Sequence, residues 1–294
     1  MASWKGETDQ PVVSICCTTF NHEAYIEDAL EGFLIQETDF PYEILIHDDA
    51  STDRTANIIR DYEAQYPKII KTIYQTENQF SQGKRINADF NFTRALGDYL
   101  AICEGDDYWV DKLKLQKQIH YLMDNPGYVL TFTDAITFDS EGVLDTDFGG
   151  AKKDLSAEEL IVGTPIKTLT TCFRNVFKNK TWPVDLRKAF YGDLTVWSLL
   201  GDHGAAKYMP DISPSMYRVH DAGIHSSTSA KTRYVNYLQT LICLYAHRLN
   251  DSNQRGTRLL SIKIIKYLAK DLSILDFLKI LINKILILLR FSRK

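Results

Sequence analysis

Cysteine is scarce in this chain of 294 residues, and its five cysteines show no CxxC pair or other metal-binding spacing. Four of the five lie inside apolar runs that are predicted to be buried. A zinc site and a disulfide framework are therefore both unexpected, and a reducing cytoplasm fits this usage best. The cysteines are Cys16, Cys17, Cys103, Cys172 and Cys243.

Basic residues are not in excess either. Lysine and arginine total 34 against 38 aspartate and glutamate residues, which gives a net charge of −4, so the composition predicts no nucleic-acid partner. The polar N-terminal stretch MASWKGETDQ has no apolar core of the signal-peptide kind. Internal repeats and low-complexity linkers are also missing from the sequence, so a repeat array is not expected.

Two hydrophobic patterns alternate over the first two thirds of the chain. Continuous apolar runs with β-branched residues predict buried strands, and the stretches between them have the spacing of amphipathic helices. Strand–helix alternation with short links implies right-handed βαβ units on a mostly parallel sheet, so the predicted fold class is α/β. The predicted strands are PVVSICCTTF, YEILIHDDAS, KIIKTIYQT, DYLAICEGDD and YVLTFTDA.

Helices are predicted over residues 21–36, over STDRTANIIRDYEAQY, over NADFNFTRALG with Gly97 closing it, and over DKLKLQKQIHYLMDNP. After residue 135 the alternation is weaker. The sequence there predicts a hairpin or flap in FDSEGVLDTDFGGAKKD, a strand in TLTTCFRNVF, a helix in DLTVWSLLGDHG, and two short strands around Pro214. Residues 229–271 have a helical pattern throughout.

Polar residues follow three of the predicted strands. Ligands of open parallel sheets bind beyond the carboxyl ends of the strands, so these residues are expected to share one edge of the sheet, called here the rim. They are Thr18 to Asn21, Asp48 with Asp49, and Glu104 to Asp107 (EGDD), called here the acidic segment.

The acidic segment calls for a cation. Carboxylates a few ångströms apart raise one another's pKa unless positive charge offsets them, and Mg²⁺ or Mn²⁺ accepts oxygen ligands and often shares them with substrate phosphates. The alternative for Asp106 and Asp107 is a solvated turn or a helix cap. Asp48 and Asp49 suit hydrogen bonds from ribose hydroxyls or a base N–H, whereas Ser51 to Asp53 are more simply helix-capping residues.

Arg218 and His220, in MYRVHDAG, add a second polar set. On an extended strand their side chains point to the same face, and a cation with an imidazole suits a diphosphate or its metal. An exposed strand edge is the alternative. Lys84 and Arg85 lie in a charged turn that either reaches phosphates or stays solvated. No catalytic role is assigned to His22, His47 and Trp109.

Four motifs in this order resemble glycosyltransferase family 2: VVSICCTTFNHEAYIEDAL, YEILIHDDASTDRT, ALGDYLAICEGDDYW and YRVHDAG. The resemblance covers residues 11–225. It implies the GT-A fold, a nucleotide-binding α/β domain, and inverting transfer of a sugar from a nucleotide-diphosphate sugar to an acceptor hydroxyl. The chain is accordingly divided into a catalytic domain over residues 1–225, a helical extension over 226–271 and a tail over 272–294.

The resemblance implies that contacts to the nucleotide-sugar donor come from the three strand ends. Asp48 or Asp49 would contact the base or ribose. Glu104 stands where the family more often has aspartate, and its extra methylene would turn it toward the ribose or a supporting role. The predicted donor-binding residues are Thr18, Thr19, Phe20, Asn21, Asp48, Asp49, Glu104, Asp107 and Arg218.

The EGD of the acidic segment matches the family's DxD element, and the resemblance implies that Asp106 would be a metal ligand. His220 is expected as a second ligand, and the expected ion is Mn²⁺ or Mg²⁺. Such an ion would neutralise the departing diphosphate. Asp193, in AFYGDLTVWSLL, is the candidate general base for the acceptor hydroxyl, and a helix N-cap is its alternative role. An unperturbed aspartate, with a pKa of about 4, is a weak base, so the site would have to raise that pKa.

Two other functions are weighed against transfer. A non-catalytic nucleotide-sugar-binding module would not need Asp193. A phosphatase of the haloacid dehalogenase type would need DxDx[TV] after its first strand, where this chain has TTFNH. The QxxRW motif of processive family members is missing, since Gln254 and Arg255 are adjacent and no tryptophan follows, so one sugar per encounter is expected.

The tail ends in DFLKILINKILILLRFSRK, which has no acidic residue from Phe277 to Lys294. Its lysine-interrupted apolar stretch is too short for a confident membrane span and matches an amphipathic helix lying on an anionic membrane. The alternative is a helix packed on the catalytic domain or in a homodimer. Membrane contact would fit a glycan or lipid-linked acceptor, used in cell-surface polysaccharide synthesis at the cytoplasmic, inner face of the cell membrane.

Overall fold

The computed structural model of the chain describes residues 10–146, 149–220 and 229–269. The strands among these residues are β1 Val13–Thr19, β2 Tyr42–Asp48, β3 Ile70–Tyr74, β4 Tyr99–Ile102, β5 Tyr128–Phe132, β6 Ala135–Asp139, β7 Gly142–Val143, β8 Cys172–Arg174, β9 Ala205–Tyr208 and β10 Ser215–Arg218. The α-helices are α1 Ile26–Leu34, α2 Thr55–Gln65, α3 Phe92–Arg94, α4 Lys114–Asp124, α5 Ala157–Ile161, α6 Gly192–Leu200, α7 Ala230–Asn250 and α8 Gln254–Ala269.

The main sheet has seven strands in the order β3-β2-β1-β4-β8-β5-β9. Neighbouring strands from β3 to β4 are parallel, β8 is antiparallel to both of its neighbours, and β9 is parallel to β5. This mostly parallel sheet with flanking helices confirms the predicted α/β class. A smaller sheet, β10-β6-β7, contains the hairpin expected after residue 135.

Both faces of the main sheet are covered, because alternate residues of a strand enter two separate apolar clusters. In β1, Val13, Ile15 and Cys17 pack in the cluster that includes buried residues of α1, α2 and α4. Cys16 faces the other cluster, together with Trp197 of α6. Burial on both faces explains why this strand is a continuous apolar run rather than an alternating one.

The first helix is shorter than predicted. It begins at Ile26 instead of residue 21, because the chain turns sharply at Asn21, whose φ is 56°. The side-chain oxygen of Asn21 accepts a hydrogen bond of 2.8 Å from the Thr52 amide, and the Asn21 amide donates to Ser51 Oγ at 2.9 Å. These bonds join the end of β1 to the connection that follows β2.

The capping role predicted for Gly97 is wrong. The helical stretch before it is a π-helical turn, Asn87–Asn91, that continues into α3 and ends at Arg94. Gly97 lies instead against β1, where a Cβ atom would come within 2.6 Å of the Ser14 backbone nitrogen. The glycine is therefore needed for a close backbone approach rather than for a helix end.

The helical pattern over residues 229–271 corresponds to two helices that form an antiparallel hairpin. Tyr234, near the start of α7, stacks on Tyr267, near the end of α8, with ring centroids 4.6 Å apart. Leu241, Leu244 and Leu260 join the apolar cluster of α6, so the hairpin packs on the sheet domain. The tail over 272–294 lies outside the described residues. Among the helices that are described, none has the length and hydropathy to cross a membrane.

Candidate active site

The acidic segment lies directly beyond β4, at the rim. The Gly105 amide donates a hydrogen bond of 2.9 Å to the Thr18 carbonyl, so the segment stays attached to the end of β1. A Cβ atom on Gly105 would lie 2.8 Å from Thr19 Oγ1. A glycine at this position therefore lets the flanking carboxyl groups sit beside the end of β1.

Strand β10 approaches the acidic segment from the smaller sheet. Tyr108 and Met216 exchange two backbone hydrogen bonds, of 3.2 and 2.8 Å, so β10 runs beside the residues that follow the acids. This pairing brings Arg218 and His220 to the carboxylates of the acidic segment. The strand pairing thus assembles one site from two distant parts of the sequence.

Arg218 fixes the conformation of the acidic segment. Its backbone amide donates to Asp107 Oδ1 at 2.8 Å, and its Nε donates to the Asp106 carbonyl at 2.9 Å. Its Nη2 donates to Asp28 Oδ2 at 2.6 Å. The guanidinium also lies 4.7 and 4.6 Å from the centroids of two aromatic rings, those of Tyr25 and Phe138. Arg218 therefore has a structural role at the site. Contact of Arg218 or of Asp107 with the nucleotide-sugar donor stays a prediction.

Asp106, His220 and His22 form a group that can hold a metal ion. Each offers one ligand atom, and these atoms lie within 4.8 Å of one another. His220 Nε2 is 3.0 Å from Asp106 Oδ2, and His22 Nε2 is 3.8 Å from the same oxygen. The first two are the predicted metal ligands, whereas sequence analysis assigns His22 no role. Its position just after β1, on the rim, is the feature that could have identified it.

The donor set fits a divalent cation. One carboxylate and two imidazoles combine oxygen and nitrogen ligands, which suits a first-row ion such as Mn²⁺ better than Mg²⁺, since Mg²⁺ prefers oxygen ligands and water. Nδ1 of His22 is buried and has no hydrogen-bond partner within the part of the chain that the structure describes. The His22 ring is therefore not committed to another contact through that atom.

The acidic segment holds crowded negative charge. Burial, together with the charge of Asp106, raises the pKa of Glu104 to about 7. Burial and the neighbouring carboxylates also hold the pKa of Asp107 well above its ordinary value. Burial acts on Asp106 in the same direction, but the hydrogen bond from His220 and the charge of His22 outweigh it and lower its pKa. Asp106 is therefore the carboxylate that stays ionised, as a metal ligand must be.

The two aspartates after β2 make local hydrogen bonds. Asp49 Oδ1 and Oδ2 accept from the backbone amides of Gln79 and Phe80, at 2.7 and 3.0 Å, which shapes the loop after β3. Asp48 Oδ1 accepts from the Ser51 hydroxyl, and burial raises the pKa of Asp48. Contact of Asp48 or Asp49 with a base or ribose stays a prediction.

The end of β1 has groups that suit a ligand. Thr19 Oγ1 is buried and lacks a hydrogen-bond partner among the described residues. The neighbouring Phe20 is 42% exposed, and Phe80, on the loop that Asp49 shapes, is 54% exposed. An unpaired hydroxyl and exposed aromatic rings offer hydrogen bonding and stacking to a nucleotide.

Asp193 is the second residue of α6, and the N-cap of that helix is Tyr191. The alternative role as an N-cap is therefore wrong. Burial raises the pKa of Asp193 to about 6, which is the direction that a general base requires. Burial is the main cause of the raised pKa values of Glu104 and Tyr217, and the negative charge of Asp193 adds to both, so Asp193 acts electrostatically on Glu104 in the acidic segment.

The residues before α6 are held by the loop after β3. The Arg85 guanidinium donates to the Arg187 carbonyl at 2.8 Å and to the Phe190 carbonyl at 3.4 Å. Asp89 accepts two hydrogen bonds, of 2.7 and 2.6 Å, from the Arg187 guanidinium. Arg85, considered above for phosphate contact, is thus occupied in positioning the segment that leads to Asp193.

Comparison with known proteins shows the family of the chain. The sequence profile of glycosyl transferase family 2 matches residues 14–178, more than half of the chain. An uncharacterized protein of Mycobacterium tuberculosis is 34% identical over 76% of this chain and only 63% of its own length. The putative teichuronic acid biosynthesis glycosyltransferase TuaG of Bacillus subtilis is 28% identical over 77% of this chain and 84% of its own length.

Two solved structures share the fold. TarS of S. aureus (residues 1–349, in complex with UDP-GlcNAc) has a TM-score of 0.56 at 18% identity, covering 81% of this chain and 66% of that one. The mannosyltransferase PcManGT from Pyrobaculum calidifontis, in complex with GDP-Man and Mn²⁺, has a TM-score of 0.57 at 17% identity. The match covers 95% of this chain and 81% of that one. These likenesses concern the fold alone, and they confirm the expected GT-A fold.

Proposed function

Because the chain belongs to glycosyl transferase family 2, we propose that it transfers one sugar from a nucleotide-diphosphate sugar to an acceptor hydroxyl with inversion at the anomeric carbon. The observation that carries the proposal is a cation-binding group around Asp106 together with a carboxylate of raised pKa, Asp193, that acts electrostatically on the same acidic segment. The phosphatase alternative has no such support, because β1 ends in Thr18 and Thr19 rather than in an aspartate nucleophile.

Asp106, His220 and His22 would hold Mn²⁺ or Mg²⁺, and their nitrogen ligands favour Mn²⁺. When bound, such an ion neutralises the charge that develops on the departing diphosphate. The presence of Mn²⁺ with GDP-Man in PcManGT agrees with this choice. Glu104 and Asp107, whose raised pKa values favour protonation, limit the negative charge that the site carries beside Asp106.

Asp193 would take the proton of the acceptor hydroxyl as its oxygen attacks the anomeric carbon. With a pKa of about 6, this carboxylate is a stronger base than an exposed aspartate, yet it is mostly ionised at neutral pH. The bond between the anomeric carbon and the donor's phosphate oxygen breaks on the opposite side, so the configuration inverts. The contacts of Arg85 to the residues before α6 hold Asp193 in place for this step.

The nucleotide would lie along the ends of β1 and β2. The exposed ring of Phe20 offers a stacking surface for the base, and the unpaired hydroxyl of Thr19 offers a hydrogen bond. Asp48 would accept from the ribose hydroxyls at the adjacent strand end. Thr18, Asn21, Asp49, Glu104 and Arg218 would then act mainly by shaping this surface.

We further propose that the acceptor is a glycan or a lipid-linked sugar of a cell-surface polysaccharide. The name of TuaG, a putative teichuronic acid biosynthesis enzyme, supports that direction. Transfer would take place at the inner face of the cell membrane, with the tail over 272–294 as one membrane contact, and a homodimer through the tail is the alternative.

Donor hydrolysis by the full chain tests the proposal, after a thermal-shift screen with Mn²⁺ has identified a nucleotide-sugar that stabilises the fold. We expect hydrolysis to require Mn²⁺ and to fall about 100-fold or more in Asp193→Ala, while nucleotide binding is retained. Asp211→Ala, at an exposed aspartate, is the matched control.

Hydrolysis at the full rate in EDTA or in Asp193→Ala would contradict the proposed chemistry. Binding without turnover for every donor would instead indicate a nucleotide-sugar-binding module. A ladder of products from one acceptor would contradict the transfer of a single sugar per encounter.

A further inference from the structure

The outer face of the α7–α8 hairpin carries exposed apolar side chains. On α7, Val235, Ile242 and Leu249 are 52%, 51% and 57% exposed and recur every seven residues, so they form one stripe. On α8, Ile262 and Ile265 are 42% and 52% exposed. Apolar stripes of this length normally pack against another surface.

The opposite side of each helix is the side that packs on the protein. On α7, Thr240 and Leu244 are fully buried, and on α8 Leu260 is fully buried. Since the two helices lie side by side with their buried sides toward the sheet domain, the exposed apolar side chains face away from it.

The hairpin is basic, whereas the chain as a whole is acidic. Residues 229–269 contain seven lysines and arginines and one acidic residue, Asp251, which gives +6, against −4 for the whole chain. Arg255 forms an ion pair with Glu158 of the sheet domain. Other cations of the hairpin are exposed: Lys231, Arg258 and Lys266.

We propose that this outer face docks on an anionic lipid bilayer, with its apolar side chains in the interface and its exposed cations at the headgroups. Combined apolar and basic surface is what such binding uses. A second copy of the chain fits less well, because two such faces would bring like charges together. The choice of a membrane as the partner rests on the membrane contact proposed above. It does not depend on the proposed sugar-transfer chemistry.

The docking face is linked to the candidate base. The Tyr191 amide donates to Thr240 Oγ1 of α7 at 3.1 Å, and Gln239 of α7 donates to the Lys188 carbonyl at 3.0 Å. These bonds tie α7 to the residues just before Asp193. A hairpin lying on the bilayer would therefore keep the candidate base behind α7, at a fixed position relative to the surface from which a lipid-linked acceptor would come.

Sedimentation of the full chain with vesicles tests the proposal. We expect binding to vesicles that contain phosphatidylglycerol and little binding to pure phosphatidylcholine. The double substitutions Ile242→Ser with Leu249→Ser, and Arg258→Glu with Lys266→Glu, should each weaken binding by about tenfold or more. Val143→Ser with Leu96→Ser, which alters exposed apolar residues away from the hairpin, should leave binding unchanged.

Unchanged binding in both hairpin variants would overturn the proposal and leave the tail as the membrane contact. A dimer detected by light scattering that the hairpin variants dissociate, without vesicle binding, would assign the face to a second copy. Donor hydrolysis is measured in the same variants without vesicles. Retained hydrolysis shows that they are folded, and it separates a failure of docking from a failure of the proposed function.

Discussion

Replacing Asp193 with asparagine is expected to stabilise the ligand-free protein and to remove its activity. Burial raises the pKa of Asp193 from 3.8 to about 6, so the folded state disfavours the ionised carboxylate. At about 1.4 kcal/mol per pKa unit, ionisation costs the folded state about 3 kcal/mol above pH 7. Asparagine has nearly the same shape and no charge, so Asp193→Asn should recover most of this free energy.

The gain in stability expected from Asp193→Asn depends on pH. Because the folded pKa lies above the unfolded one, the folded state binds the extra proton between about pH 4 and 6, and the penalty is complete only above that window. The expected gain in the free energy of unfolding is about 3 kcal/mol at pH 8 and about 1.5 kcal/mol at pH 5. Below about pH 4 it should vanish, since the carboxyl group is then neutral in both states.

Urea unfolding of the wild type and Asp193→Asn at the two pH values, in EDTA, measures this difference. Asp211→Asn, at an exposed aspartate, is the control and should change stability little at either pH. Donor hydrolysis by the wild type should rise about tenfold per pH unit below the pKa of about 6 and then level off. A stability gain that is equal at both pH values would refute the electrostatic reasoning, and full hydrolysis by the asparagine variant would refute the base role.

Three further predictions concern the candidate metal ligands, the acidic segment and the residues that position the candidate base. His22→Ala should weaken Mn²⁺ binding about tenfold in calorimetry, and an unchanged affinity would mean that His22 is not a ligand. Gly105→Ala should lower the free energy of unfolding by about 1–3 kcal/mol, because its Cβ would lie 2.8 Å from Thr19 Oγ1, and a neutral effect in urea unfolding would show that the contact relaxes. Arg85→Met should lower kcat with little change in donor KM, because it loosens the residues before α6. A rise in donor KM would instead indicate that Arg85 contacts the phosphates of the donor, as its charge suggests.

The parallel strands could be predicted from the sequence because a strand that is buried on both faces has a continuous apolar run, such as the one that ends at Thr19. The antiparallel strand β8 could not be predicted as part of this sheet, since its three residues, Cys172–Arg174, carry no directional pattern. Asp49 and Arg85 show a related limit: their partners are backbone groups of distant loops, which side-chain chemistry does not indicate.

The acidic segment itself was predictable, because like charges at a strand end need a compensating partner. His22 was missed because a single histidine after a strand has many ordinary roles, and only the fold shows that Asp106 lies 3.8 Å away. The raised pKa of Asp193 was expected as a requirement of its role. Its cause, burial in the first turn of α6, is visible only in the structure.

The attachment of β10 to the acidic segment has a consequence for how the protein is made. Asp106 and Asp107 leave the ribosome well before Arg218 and His220, yet their carboxylates are anchored by those residues. A nascent chain that has reached only β9 thus contains unbalanced acids and an incomplete ligand set. On the proposed metal role, the full set of Asp106, His22 and His220 is complete only late in synthesis, and truncated products that lack β10 should bind Mn²⁺ more weakly than the full chain.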